Sequence, residues 1–197
     1  MSSSFIFRPH IYDGNTITTP DVLIDNVYVA DSRGKNLSVS RITNDRLTTA
    51  PEIQVLGYDT IAEAAILLIA AGAGMLMGIA SNHKYINHED PQFFSKPISR
   101  QVWRFQHVAD HWKYLSMQLS CGTGEMIQNG KLAEFAPIDE IIPLISSDQS
   151  SLQQGTAVFC VGLPMLKSGK SSSSYSLKLF DQEKDQILEL DYQVSQI

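Results

Sequence analysis

Glu63 stands at the edge of AEAAILLIAAGAGMLMGIASNH, the stretch Ala62 to His83, which holds no other fully ionised residue before Lys84. Burial disfavours a charged carboxylate, so a buried Glu63 would need a partner, a metal or a role in proton transfer. A Glu63 at a strand entrance with its head in water would need none of these. His83 and Lys84, at the far end of the same run, carry the same pair of readings. His107, Asp110 and His111 are spaced by three and four residues, so one face of a helix would present all three to a metal. No glutamate follows His107 directly, which excludes the zinc-protease pattern. The plainer and preferred reading is a polar helix face with Asp110 paired to Lys113 or Arg104. Ser168-Gly-Lys-Ser-Ser has the tail of a phosphate-binding loop, but Pro164 stands where that loop needs its first glycine, and a serine run follows instead of a helix. It reads as a surface loop. Cys121 and Cys160 have no charged sequence neighbour to lower their pKa and read as core thiols.

These residues must be held by a fold, and the composition bounds it. The 197 residues, 43% of them hydrophobic, suit one domain able to bury a core without staples. Net charge is −6 with no lysine- or arginine-rich run, so nucleic acid and anionic membrane surfaces are poor partners. Two distant cysteines make no disulfide framework, and Arg8 and His10 interrupt any export signal, so the expected location is cytoplasmic. Ala64 to Asn82 approaches the length of a membrane span. Gly72 and Gly74 near its middle, the absence of flanking basic clusters and the lack of an aromatic belt argue instead for strand, turn, strand: Ala65–Ile69, a turn near Ala71–Gly74, then Met75–Ser81. A buried helix is the second choice. Asp21–Ala30 reads as one or two strands, Asp31–Asn36 as a turn-rich break, Glu52–Gly57 as a strand, and Gln101–Tyr114 as a helix from the spacing of Val102, Phe105, Val108, Ala109 and Trp112. Leu115–Cys121 alternates strictly and predicts a strand. Ile138–Ile142, after Pro137, predicts a short helix that Pro143 stops. Thr156–Val161 reads as a strand, and Tyr175–Leu179 with Ile187–Val194 as a closing hairpin. The sum is a strand-rich α+β chain: N-terminal strands and an extension over 1–37, a core over 38–197, in one continuous domain.

Six segments in order, Leu47-Thr-Thr-Ala-Pro-Glu-Ile-Gln-Val-Leu-Gly57, Lys96-Pro97, Trp103-Arg-Phe105, Val108-Ala-Asp-His-Trp112, Gly130-Lys-Leu-Ala133 and Val158-Phe-Cys-Val-Gly-Leu-Pro164, resemble a bacterial group of fumarylacetoacetate-hydrolase-like proteins of unknown function. The resemblance runs from about residue 38 to 194. It implies a mixed, rolled β-sheet with short helices, assembled as a homodimer. It also implies a divalent metal on three carboxylates, polarising a keto or enol oxygen of a small-molecule substrate.

Carried over position by position, the resemblance keeps the framework and loses the chemistry. The Glu-x-Glu metal motif falls on Glu63-Ala64-Ala65, so its second carboxylate is a methyl group. The Ser-Asp-His pattern falls on Ser81-Asn82-His83, so its aspartate is an amide. The expected lysine falls near Pro91, a tyrosine near Ser40, a glutamate on Asn129, and the threonine of a substrate loop on Leu163, between Gly162 and Pro164. Little room remains for a helix between Ala30 and Arg41. One glutamate, one asparagine and one alanine make a poor magnesium site. The expectation is therefore no cofactor, with Glu63 and His83 as catalytic groups and Asn82, Asn129, Ser40 and Gly162 around a substrate. A cyclisation or rearrangement in a biosynthetic pathway would suit such a site, since orientation can do much of the work. A non-catalytic binding or scaffolding protein is the alternative, which a pocket filled by Met75, Met77 or Phe94 would favour. An ordinary metal-dependent hydrolase or decarboxylase binding Mg²⁺ remains open if Asp59, Glu89 or Asp90 supply the missing carboxylates.

Overall fold

The computed structural model describes residues 4–13, 16–34, 36–57, 59–86, 94–146, 150–166 and 171–197. The chain is built on two packed sheets. The larger has eight strands in the order Thr16–Thr18, His10–Asp13, Gln101–Arg104, Gly74–Ser81, Ala64–Ala71, Thr156–Val161, Asn26–Asp31, Ser38–Ile42. The smaller has five: Met126–Lys131, Ser116–Cys121, Ser174–Asp181, Gln186–Gln196 and Glu52–Val55. Parallel and antiparallel pairs mix in both, as in the alignment of Thr156–Val161 with Asn26–Asp31. The architecture is α+β and strand-rich, with a single α-helix of eight residues among the described ones.

The charge-free stretch is the central hairpin. Ala64–Ala71 and Gly74–Ser81 pair antiparallel across the two-residue turn Gly72-Ala73, and Gly74, which leaves the turn, takes φ +104°, a left-handed conformation open to glycine. The hairpin is buried on both faces. Ala64, Ile66 and Leu68 point into the core between the two sheets with Met117, Leu177 and Leu190. Ala65, Leu67 and Ile69 point the other way, into a second core with Phe7, Ile11, Ile24 and Phe159. The pair Phe5–Phe7 with Val22–Ile24 helps to cover that outer face. Two-sided burial removes the alternation that marks a half-exposed strand, which is why the run resembles a membrane segment. Among the described residues no helix is long and apolar enough to cross a membrane.

The hairpin, the strands at Glu52–Val55, Ser116–Cys121 and Thr156–Val161, and the closing pair Ser174–Asp181 with Gln186–Gln196 fall where the pattern places them. Asp21–Ala30 divides into Val22–Ile24 and Asn26–Asp31, and no helix lies between Ala30 and Arg41 among the described residues. Two expectations need correction. Gln101–Tyr114 is not an α-helix. Gln101–Arg104 is a strand between His10–Asp13 and the central hairpin, followed by two 3₁₀ turns, Phe105–His107 and Trp112–Tyr114. The three-residue spacing of Val102, Phe105 and Val108 is also what 3₁₀ turns after a strand produce. The helix at Ile138 runs on to Ile145 with Pro143 inside it, and Ser146 N–H closes its end on Ile142 O at 2.9 Å. Proline removes one hydrogen bond there, a loss this short terminal turn tolerates. Ser168-Gly-Lys, Glu89, Asp90 and Pro91 lie outside the described residues.

Candidate functional site

The hairpin register sets the site. Ala64 pairs with Ser81, so the next positions out bring Glu63 opposite Asn82, and Asn82 N–H donates to Glu63 O at 2.8 Å. The chains part there and re-pair as Lys84 with Ile61. Alternation then sorts the side chains from 81 to 84. Asn82 and Lys84 turn to Glu63, while Ser81 and His83 turn the other way, to Tyr192.

Glu63 is wholly buried. Its Oε1 meets Lys84 Nζ at 2.9 Å and also the Arg33 guanidinium, and its Oε2 accepts from Asn82 Nδ2 at 2.7 Å. Arg33 is gripped a second time by Asp31, which accepts from its Nε at 2.9 Å and also from its other terminal nitrogen. Asp31 ends the strand paired with Thr156–Val161, so this network closes the same end of the large sheet as the hairpin mouth. The guanidinium holds the Asp31 carboxyl below its usual range against an opposing desolvation, and the two carboxylates hold Arg33 above its own. Of the two readings of Glu63, the strand-entrance one with its head in water fails. The residue is desolvated, and two side-chain cations compensate its charge.

A fully buried amide supports the network from behind. Gln128 Oε1 accepts from Ala64 N–H at 2.7 Å, and its Nε2 donates to Leu163 O at 2.7 Å. This ties the residue after Glu63 to the loop beyond Thr156–Val161. Asn129, next to it, points outward and is exposed, as is Ser40 on the edge strand Ser38–Ile42. Gly162 is buried where any side chain would collide with Phe135, at 2.8 Å from its ring. Among the expected substrate-binding residues, hydrogen bonding brings only Asn82 to Glu63. Arg33, Asp31 and Gln128 escaped the sequence reading. Arg33 and Asp31 sat in what reads as a turn, and Gln128 is the inward neighbour of the residue singled out. The available signal was the need of a buried Glu63 for counter-charge.

His83 faces the core between the sheets. Its ring is fully buried, edge-on to Phe94, Tyr175 and Tyr192 at 5.7–5.9 Å. Nδ1 lies 3.0 Å from Tyr192 OH, which is 2.8 Å from Ser81 Oγ, while Nε2 has no partner among the described residues. Burial and the charge of Lys96 push its pKa down to about 3, so the ring is neutral across the physiological range. Lys96 is itself buried and donates to His83 O at 2.6 Å.

His111 does not lie on a helix face, and Asp110 pairs with neither Lys113 nor Arg104. Arg104 contacts Asp13, and Asp110 contacts His111 Nδ1 at 2.7 Å. His111 Nε2 meets the buried Asp181 at 2.9 Å, and Asp181 also accepts from the backbone N–H groups of Glu183 and Lys184. The imidazole thus clips the turn between the last two strands to the segment after Arg104, beside a cavity of about 300 Å³. The hydrogen bond to Asp181 raises the His111 pKa, with Asp110 and Glu183 adding to it. A raised value means that the folded state holds the proton more tightly. The stabilisation is complete below the unfolded value of about 6.5 and is lost as pH rises through the higher folded value. Stability to urea in the wild type is expected to fall as pH rises from about 6.5 through the raised folded value, whereas His111→Gln removes that component of the slope.

The metal implied by the resemblance does not fit these residues. Both Glu63 oxygens are engaged by Arg33, Lys84 and Asn82. Position 65 is a buried alanine, and position 82 presents an amide nitrogen to the carboxylate. Asp59 is exposed. Among the described residues, no three histidine, cysteine or carboxylate side chains are placed to share an ion. A hard divalent cation requires several anionic oxygens and would sit against two fixed positive charges.

Solved structures share this architecture. A protein assigned to the fumarylacetoacetate hydrolase family from Yersinia pestis CO92 matches with TM-score 0.68 at 14% identity, covering 97% of this chain and all of its own. Yeast ynq8, of the same family, gives 0.65 at 13% identity over 88% of this chain and 93% of its own. Maleylpyruvate hydrolase from Sphingobium sp. SYK-6 gives 0.64 at 12% identity over 92% and 74%. No curated protein matches the sequence. The fold is therefore that of the fumarylacetoacetate hydrolases, carrying here an arginine–lysine pair on its glutamate. Within that class the chain belongs to the family described as protein of unknown function (DUF2848), whose model matches residues 31–192.

Proposed function

We propose that this protein is an enzyme of the fumarylacetoacetate hydrolase fold that acts without a divalent metal on a small, anionic, carbonyl-bearing substrate. The carrying observation is the convergence of Arg33 and Lys84 on one oxygen of the buried Glu63, at the residue that the resemblance aligns with a metal carboxylate. Fixed cations can stabilise negative charge developing on a carbonyl oxygen, as a bound ion would. Glu63 would exchange a proton with the substrate once a cation is drawn from it, and Gln128 holds its backbone in place. A cyclisation or rearrangement is the chemistry proposed, in a cytoplasmic homodimer.

The test is a turnover screen of acylpyruvates, β-keto acids and their reduced analogues, run in EDTA and in Mg²⁺ or Mn²⁺. Turnover unaffected by EDTA and lost by a factor of about 100 or more in Lys84→Met, on the scale of removing one electrostatic group from an active site, is the expected result. Dependence on a divalent ion, or micromolar Mn²⁺ binding abolished in Glu63→Ala, overturns it. One observation favours a second reading, a non-catalytic binding protein. Phe94 is buried and packs edge-on against both His83 and Tyr85, and Met77 is buried in the same core. That reading predicts ligand binding without turnover.

A further inference from the structure

Asn82 carries an unanswered acceptor. Its Nδ2 donates to Glu63 Oε2, and only the nitrogen end of an amide can do so, which turns Oδ1 away from the carboxylate. Among the described residues Oδ1 has no hydrogen-bond partner, although Asn82 is only 5% exposed. Buried acceptors are nearly always paired, and an exception at a candidate site points to a missing donor. On the other oxygen of the same carboxylate are donors with capacity to spare. Among the described residues Arg33 makes three side-chain hydrogen bonds to Asp31 and Glu63, fewer than a guanidinium can make, and Lys84 makes one ion pair, to Glu63. These two side chains are partly exposed, at 26% and 16%, whereas Glu63 is wholly buried and Asn82 nearly so.

Resting on the proposed role of Arg33 and Lys84 as the cations that meet an anionic substrate, we infer that the ligand is a carboxylate bearing a hydroxyl or amino group on its 2-carbon. The carboxylate binds the two cations, and the O–H or N–H donates to Asn82 Oδ1. A 2-oxo acid would instead bring a carbonyl oxygen against Oδ1, lone pair to lone pair, with no donor for it. An aspartate and a metal ion would welcome that ketone oxygen as a ligand, so an asparagine among fixed cations reverses the preference. Oδ1 is covered while both cations lie on Glu63. The incoming carboxylate therefore draws a cation outward first, and Lys84, held to Glu63 by one contact, is the one that yields.

The experiment is NMR titration of the full chain with lactate, alanine, pyruvate and propionate, following the Asn82 side-chain amide, in wild type, Asn82→Ala and Arg33→Gln. Lactate or alanine is expected to bind at least about tenfold tighter than pyruvate and propionate, the discrimination of one well-placed hydrogen bond to a buried polar group. The preference disappears in Asn82→Ala, and all binding is lost in Arg33→Gln. Equal or tighter pyruvate binding, or a preference that survives Asn82→Ala, overturns the inference while leaving the oxyanion site standing. No binding by any of the four overturns both. If Asn82→Ala fails to fold, the wild-type amide shift decides: the shift must follow lactate or alanine and not propionate, and a shift equal with propionate overturns the inference.

Discussion

Replacing Arg33 and Lys84 together by methionine lowers the unfolding free energy by about 3–5 kcal/mol, the usual cost of stripping a buried charge of its partners. Glu63 is the reason. Its carboxylate has no exposed surface, and both cations meet on its Oε1. With them removed, the partner left to the carboxylate among the described residues is the Asn82 amide on Oε2. Either single variant costs less, because the remaining cation still faces the charge, so the two losses are not additive. Adding Glu63→Gln to the double variant removes the uncompensated charge and recovers much of the stability. The same contacts on the surface would contribute at most about 1 kcal/mol, so the experiment distinguishes a desolvated site from an exposed one. Urea unfolding of the four variants settles it. A double variant within about 1 kcal/mol of wild type would mean that Glu63 is not desolvated in solution.

Asn82→Asp has the second large effect, and its pH dependence is diagnostic. It sets a carboxylate where an amide nitrogen now lies 2.7 Å from Glu63 Oε2. Two carboxylates at that distance cannot both ionise without a cation between them, so the pair retains one proton to a higher pH than either group would alone. A folded-state pKa raised in this way adds stability at low pH and loses it as pH rises through the raised value. Thermal unfolding is therefore expected to show Asn82→Asp close to wild type below about pH 4, the unfolded value of an aspartate, and well below it at pH 8, by about 2 kcal/mol or more, the cost of a broken hydrogen bond to a charged group. Mn²⁺ does not restore it while Arg33 and Lys84 hold the place. A variant equally stable at both pH values, or one rescued by Mn²⁺, would show that the cation pair does not occupy this position.

Much of the fold was legible because a few local patterns survive any packing. Strict alternation marked Ser116–Cys121, and paired glycines marked the turn between the hairpin strands. Gln101–Tyr114 was misread because spacings of three belong to 3₁₀ turns as well as to helices, and only the pairing of Gln101–Trp103 with His10–Tyr12 separates them. Asp110 was misassigned for a similar reason. Its neighbours in sequence suggested Lys113 or Arg104, but His111 takes it on one ring nitrogen and the buried Asp181, seventy residues away, on the other.

By itself the sequence determined that Ala62–His83 holds one carboxylate in an otherwise uncharged core, and that positions 65 and 82 cannot supply the other two carboxylates of a metal site. Composition and residue identity carry that information without reference to any neighbour. The tertiary structure alone decided what answers the charge. Arg33 lies thirty residues from Glu63 and reads locally as part of a turn. It becomes a partner because the strand ending at Asp31 is drawn alongside Thr156–Val161, next to the central hairpin. Lys84 and Asn82 reach the same carboxylate because alternation past the hairpin mouth turns them to one side and His83 to the other. A buried charge has to be neutralised by whatever the fold brings near it, and which groups those are is set by strand order and register.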